Sequence, residues 1–206
     1  TTYGVSGFQI HFADHDILTP GDAPDVLVAM NPAALKVNLP DLKRGGLLVV
    51  NTGAFNKGNL RKAGYEVDPL EDGSTDPYRL LALDITKLAL DSVTELQLGA
   101  KDAGRTKNMW TLGLMFWLFD RDRTSTIEWL RKKFSKAPDI AEANIRALNA
   151  GHIYGESAEF PSGIGAYQVP KADLAPGVYR NIDGNQALAW GLAAGGQLAS
   201  LPLFYG

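Results

Sequence analysis

The stretch Thr106 to Asp120, TKNMWTLGLMFWLFD, limits most what this chain can fold into. Met109, Trp110, Leu112, Leu114, Met115, Phe116, Trp117, Leu118 and Phe119 are all apolar and leave no polar face beyond the first turn. No proline interrupts the run, and Gly113 is its one position of weak helix propensity. An amphipathic surface helix would change face every three to four residues, whereas a segment apolar all round is a helix buried on every side. It is too short to cross a bilayer, which takes about 20 apolar residues. It predicts either the central core helix of a domain or a helix sandwiched between two domains.

The rest of the chain alternates strand and helix signals. Val5 to Ala13, VSGFQIHFA, has period two and predicts a strand with one buried face. Thr19-Pro20-Gly21-Asp22 predicts a turn. Pro24 to Met30 is a continuous apolar run, the mark of a fully buried strand in a parallel sheet. Asn31-Pro32 opens a helix with Asn as N-cap and Pro in first place, ending near Pro40. Leu47 to Val50 reads as another buried strand. Lys57 to Ala63 reads as a short helix closed by Gly64, and Tyr65 to Val67 as a short strand. Tyr78 to Leu83 predicts a strand and Ile85 to Leu96 a helix. After the apolar helix, Ser125 with Glu128 has the spacing of a capping box for a helix to Phe134. Pro138 to Tyr154 predicts a longer helix whose stripe is Ile140, Ala143, Ala147, Ala150 and Tyr154.

The fold class expected is α/β, a mostly parallel sheet flanked by helices, followed by the truncated start of a second α/β domain. The first domain is expected over 1–159, a Pro- and Gly-rich linker over 160–176, and the second domain from 177 to 206. In that second part Val178 to Ile182 reads as a strand and Gln186 to Ser200 as a Gly- and Ala-rich helix. Gly191 and Gly195 share a face there that would let another backbone come close, and Leu201 to Gly206 reads as a strand. The first residues, Thr1 to Gly4, lack an initiator Met and run almost at once into a strand, as a fragment would.

Composition excludes several chemistries. With no Cys in 206 residues, the chain can form no disulfide, no Cys-ligated zinc site and no Cys-ligated iron–sulfur cluster. The lack of Cys is compatible with a reducing cytoplasm. Net charge is -3, and Arg131, Lys132 and Lys133 form the tight basic cluster, read as a solvated helix face rather than a nucleic-acid surface. No signal peptide or transmembrane span is legible. His11, Asp14, His15 and Asp16 could bind a metal or exchange a proton, but the spacing fits no standard ligand set, so a hydrogen-bonded strand end is the default. His152 reads as a helix-terminus residue. No GxGxxG turn, Walker loop or nucleophile elbow is present. Trp110, Phe116, Trp117 and Phe119 read as core rather than as a ligand pocket.

Four stretches in order add a further reading: GVSGFQIHFADHDILTPGDAPDVLVAMNPAAL from Gly4, KNMWTLGLMFW from Lys107, KAPDIAEANIRALNAG from Lys136 and GNQALAWGLAAGGQLASLPLFYG from Gly184. Together they resemble the fused alpha subunit of the 2-oxoacid:ferredoxin oxidoreductases, nearest the bacterial 2-oxoglutarate type. The resemblance implies a gamma domain without its first strand, followed by the beginning of the pyrimidine-side thiamine diphosphate domain. It implies that the whole enzyme oxidatively decarboxylates a 2-oxoacid to an acyl-CoA and passes electrons to ferredoxin. Thiamine diphosphate, magnesium and an iron–sulfur cluster would be its cofactors, none bound by this chain. The partners implied are the remainder of the alpha subunit and a beta subunit, with ferredoxin and coenzyme A met through the whole enzyme. Nucleic acid and membrane are not implied, and the location is cytoplasmic.

The family's activating Glu and its YPITP-like motif have no counterpart here, so no catalytic residue carries over and the chain is expected to be inactive alone, serving assembly and shielding of the active site. Asn108, Met109, Gly113, Trp117, Asn185, Gly191 and Gly195 are the interface or packing candidates. The segment from Gly184 is expected to pack poorly without the rest of its domain. The alternative is a free-standing α/β binding or subunit-interface module without catalysis.

Overall fold

The computed structural model describes residues 5–17, 21, 23–180 and 182–198. Two compact units divide the chain between Ala172 and Asp173.

The first unit is built on a three-stranded parallel sheet in the order β1 (Val26–Ala29), β2 (Leu47–Asn51), β3 (Arg79–Leu83). β2 is central, and all five of its residues are buried. Its alternation shows why LLVV must be apolar throughout. Leu47 and Val49 face one core, with Leu81 and Leu83 beside them; Leu48 and Val50 face another, against Leu35 and Leu42. A parallel sheet with both faces covered needs such strands. Among the described residues β1 pairs only with β2; Val26, Leu27 and Val28 are half-buried and Ala29 is fully buried. The expected complete burial of this strand holds for β2 but not at the sheet edge.

Local signals set the connections. α1 (Pro32–Asn38) follows β1, and the Asn31 side chain accepts from the Ala34 N–H at 2.8 Å. α2 (Lys57–Lys62) is capped by Asn56 and ends in Gly64 at φ +74. There the Gly64 N–H donates to the Arg61 carbonyl and the Tyr65 N–H to that of Leu60, the paired bonds of a Schellman ending. α3 (Ile85–Val93) follows β3, with Asp84 as N-cap accepting from the Lys87 N–H. A short helix not legible in the sequence, α4 (Ala100–Arg105), precedes α5 (Lys107–Leu118), α6 (Thr124–Lys133) and α7 (Pro138–Ser157).

Several expected elements differ. Residues 5–13 form no strand: Phe8 is 89% and Ile10 63% exposed, and no ladder of backbone bonds receives the segment. Alternating side chains define a face, but a strand also needs a partner backbone. Tyr65 to Val67 and Val178 to Arg180 likewise take no strand conformation. Ser125 does not cap α6. The Asp122 carboxylate accepts from the Thr124 N–H and hydroxyl; the helix starts at Thr124, which puts Ser125 inside its first turn. In α7 the buried set is Ala141, Ala143, Ile145, Ala147, Leu148, Gly151 and Gly155; of the expected stripe, Ala143 and Ala147 are buried, Ala150 and Tyr154 are half-buried against the same core, and Ile140 lies outside it. Part of the stretch read as a linker packs on this unit: Phe160, Ile164 and Tyr167 lie against its core.

The second unit contains α8 (Gly184–Leu198), opened by Asp183, which accepts from the Gln186 N–H at 2.8 Å. Its residues 184–195 are exposed apart from Ala193. The expected turn at 19–22 and the strand at 201–206 fall largely or wholly outside the described residues.

Candidate functional site

Open parallel sheets place ligands at the carboxyl ends of their strands. Here that edge carries Asn31 after β1, Asn51 at the end of β2, and Asp84 and Thr86 after β3. Asn51 is fully buried. Its amide NH2 donates to the Thr86 hydroxyl at 3.0 Å and the Met30 carbonyl at 3.4 Å, and its oxygen accepts from the Thr86 N–H at 3.1 Å. Asn31 and Asp84 hold helix N-termini. Gly53 leaves no room beside Asp84, since a Cβ there would stand 2.2 Å from the carboxylate. These side chains pin β1, β2 and α3 together, and no nucleophile and base meet among the described residues of this edge. The chemistry of the edge is structural.

The more informative region is the helical layer around α5. Trp110, Leu114 and Leu118, spaced by four, are buried against the sheet and α3. Met109, Leu112 and Phe116 pack with Leu130 of α6 and Ile145 and Leu148 of α7. Gly113 meets α7 directly, because a Cβ on it would lie 1.9 Å from the Leu148 carbonyl oxygen. Trp117 stacks on Phe160 at 4.9 Å, and Phe119 stacks on Tyr167 at 5.3 Å and meets Phe12 edge-on at 5.1 Å. The strap 160–169 is fixed by polar contacts as well. The Tyr167 N–H donates to the Leu118 carbonyl, the Arg79 guanidinium to the Gly163 carbonyl and Tyr167 hydroxyl, and Arg121 to the Val169 carbonyl. Sheet, α6, α7 and strap of one unit thus contact α5 on several sides, burying Trp110, Leu114 and Leu118 and leaving Leu112, Met115, Phe116 and Trp117 half-buried. Of the two expectations for this stretch, the central core helix is the one the first unit shows.

Neither His-containing group forms a catalytic or metal-binding set among the described residues. Asp14 and His15 pair at 3.0 Å on the surface, and that hydrogen bond holds the Asp14 carboxyl below its usual range. No group of three or more potential metal ligands occurs among the described residues. The His152 Nδ1 is buried without a hydrogen bond, 3.5 Å from Glu156 Oε1.

The family pattern described as pyruvate ferredoxin/flavodoxin oxidoreductase matches residues 2–154, most of the chain. This chain belongs to that family. The oxidoreductase fold is also seen in the 2-oxoglutarate:ferredoxin oxidoreductase from Magnetococcus marinus, solved with 2-oxoglutarate, coenzyme A and succinyl-CoA bound. It aligns at a TM-score of 0.52 and 20% identity over 76% of this chain and 24% of that one. Among curated relatives, the 2-oxoglutarate oxidoreductase subunit KorA of Mycobacterium tuberculosis is 49% identical across the whole of this chain. The chain spans 31% of that relative's length. The 2-oxoglutarate synthase subunit KorC of Methanothermobacter thermautotrophicus is 45% identical over 49 residues, 23% of this chain and 26% of that subunit.

Within this member of the oxidoreductase family the candidates separate into two sets. Met109, Gly113 and Trp117 lie in the helical layer, on the α6, α7 and strap sides of α5, while Asn108 is exposed on its first turn. Asn185, Gly191 and Gly195 are exposed on α8, and a Cβ on either glycine meets nothing within 4 Å. Close backbone approach is made at Gly113 and Gly151, and Gly155 leaves room for the Trp117 ring. Sequence reading missed Gly151 and Gly155, although their spacing of four on a helix rich in alanine was the available signal.

Proposed function

We propose that this chain is part of a subunit of a 2-oxoacid:ferredoxin oxidoreductase acting on 2-oxoglutarate. The whole enzyme would decarboxylate the 2-oxoacid oxidatively, form the acyl-CoA, and pass electrons to ferredoxin. The 49% identity to a 2-oxoglutarate oxidoreductase subunit over every residue of this chain carries the reading. The first unit would serve assembly with a beta subunit and shielding of an active site that lies elsewhere in the enzyme. The enzyme's location would be cytoplasmic; none of the described helices is long and apolar enough to cross a membrane.

Thiamine diphosphate, magnesium and an iron–sulfur cluster would belong to other parts of the assembly. The residues here do not fit them: the chain has no thiolate for a cluster, and its carboxyl-edge side chains are spent on helix caps and the Asn51 network.

We infer also that α8 is the first helix of a second domain. It carries no charged residue, yet Leu188, Trp190 and Leu192 are each more than half exposed. A helix apolar all round takes its stability from burial, so further polypeptide would cover it.

The test is reconstitution of the full-length protein with its beta subunit, followed by coenzyme A-dependent ferredoxin reduction. Turnover with 2-oxoglutarate well above that with pyruvate is expected, and none from residues 1–206 alone. Preference for pyruvate would overturn the substrate, and no turnover with any 2-oxoacid would overturn the enzyme reading.

A further inference from the structure

The densest positive charge in the chain lies at the end of α6, where Arg131, Lys132, Lys133 and Lys136 fall within one turn and its exit and are all exposed. None makes an ion pair among the described residues, in contrast to Lys43, Lys87, Arg105 and Arg146, each of which meets a carboxylate. One turn earlier, Trp129 is 49% exposed. The Lys133 Nζ sits 4.4 Å from the Trp129 ring centre and 5.9 Å from that of Phe134. Phe134 in turn lines a cavity of about 320 Å3 between α6 and α7, floored by the buried Ala141 and Ile145. Glu142, the carboxylate at this cavity, is held by Arg146 at 3.0 Å and does not neutralise the cluster.

We propose that this end of α6 is a docking surface for an acidic protein, which seats one apolar side chain against Trp129 and the Phe134 cavity. Four unpaired cations on a chain of net charge -3 favour an acidic partner by charge complementarity. Trp and Arg are the side chains that most often dominate such contacts. The chain's own acidic loop is a poorer occupant. Asp68 and Asp72 in that loop accept from the Leu70 and Ser74 N–H groups, so they are committed to its shape. The proposal goes beyond the enzymatic reading and does not depend on it.

The experiment uses the full-length protein and two fluorescein-labelled Glu-rich peptides of equal charge, one with a central Phe and one with Ala in its place. Anisotropy titration is expected to show the Phe peptide binding roughly tenfold tighter, a hot-spot-sized difference, with both affinities falling as salt rises. R131E/K132E/K133E should abolish both, and Trp129→Ala should remove the Phe advantage while keeping the salt dependence. Circular dichroism and the unfolding midpoint establish that the variants fold. Equal affinity for the two peptides, or undiminished binding by a folded charge-reversed variant, overturns the proposal. A wild-type dimer that dissociates on charge reversal in sedimentation also overturns it, by giving this face to a second copy.

Discussion

Gly113 and Gly151 face each other's helices at the α5–α7 crossing. A Cβ on Gly113 would stand 1.9 Å from the Leu148 carbonyl oxygen, and a Cβ on Gly151 would stand 1.9 Å from that of Trp110. Backbone presses on backbone in both directions, so neither position can be relieved by turning a side chain.

Alanine at Gly113 or Gly151 should therefore destabilise the first unit by about 3 kcal/mol, the upper end of ordinary overpacking costs. Gly104→Ala is the control. It lies in α4 with nothing within 4 Å of the added Cβ, so it should stabilise by up to about 1 kcal/mol through helix propensity. Urea unfolding followed by circular dichroism measures all three. Equal midpoints for Gly113→Ala and Gly104→Ala would refute the crossing geometry.

Asp120 closes α5 at φ +50, with its N–H on the Trp117 carbonyl and the Arg121 N–H on that of Phe116. That ending favours glycine, because an L side chain in the left-handed region costs roughly 1–2 kcal/mol. Asp120→Gly should raise stability by about 1 kcal/mol, and Asp120→Val should lower it. A loss of stability in the glycine variant would contradict the assigned ending.

Asn51→Ala should cost more than its size suggests. It would leave the half-buried Thr86 N–H without its acceptor and the Met30 carbonyl without its donor. An unsatisfied buried group costs about 1–3 kcal/mol. A loss of at least about 2 kcal/mol in denaturant unfolding is expected; a change below roughly 0.5 kcal/mol would show the network is dispensable.

Tyr65 gives a pH prediction. Burial, then the Asp72 and Asp68 carboxylates, push its hydroxyl above the ordinary tyrosine value of 10.0. The unfolded chain therefore ionises first as pH rises. Stability should fall from about pH 10 upward, until the folded state's own higher value is passed. Tyr65→Phe should lose less stability over that range than the wild type. An identical alkaline slope in both proteins would show that Tyr65 is not shifted.

Where the chain's own short-range chemistry decides an element, the sequence was enough. Asn31-Pro32 opens α1, Gly64 closes α2, and the unbroken LLVV run becomes the central strand. The misses are matters of partnership. Residues 5–13 carry a strand's alternation, but nothing in that alternation supplies a neighbouring backbone. The strap has no period to read, because Phe160, Ile164 and Tyr167 are placed by where α5 ends rather than by any repeat of their own. Gly113 and Gly191 look alike as helical glycines, and only the crossing with α7 distinguishes them. For the candidate site, the apolar surface of α5 identified the helix as buried, while the identity of its covers depended on the tertiary fold.

The strap bears on the order of folding. The Arg79–Tyr167 contact joins residues 88 apart in sequence, and the Tyr167 N–H reaches a helix end formed nearly fifty positions earlier. Closing such long loops is entropically late relative to pairing α5 with α7. The strap should therefore be the last part of the first unit to acquire protection in pulsed hydrogen exchange, after the Leu47–Asn51 amides. Before that moment the rings of Trp117 and Phe119 are open to solvent, so this hydrophobic end of α5 is the surface a chaperone would meet on a newly made chain.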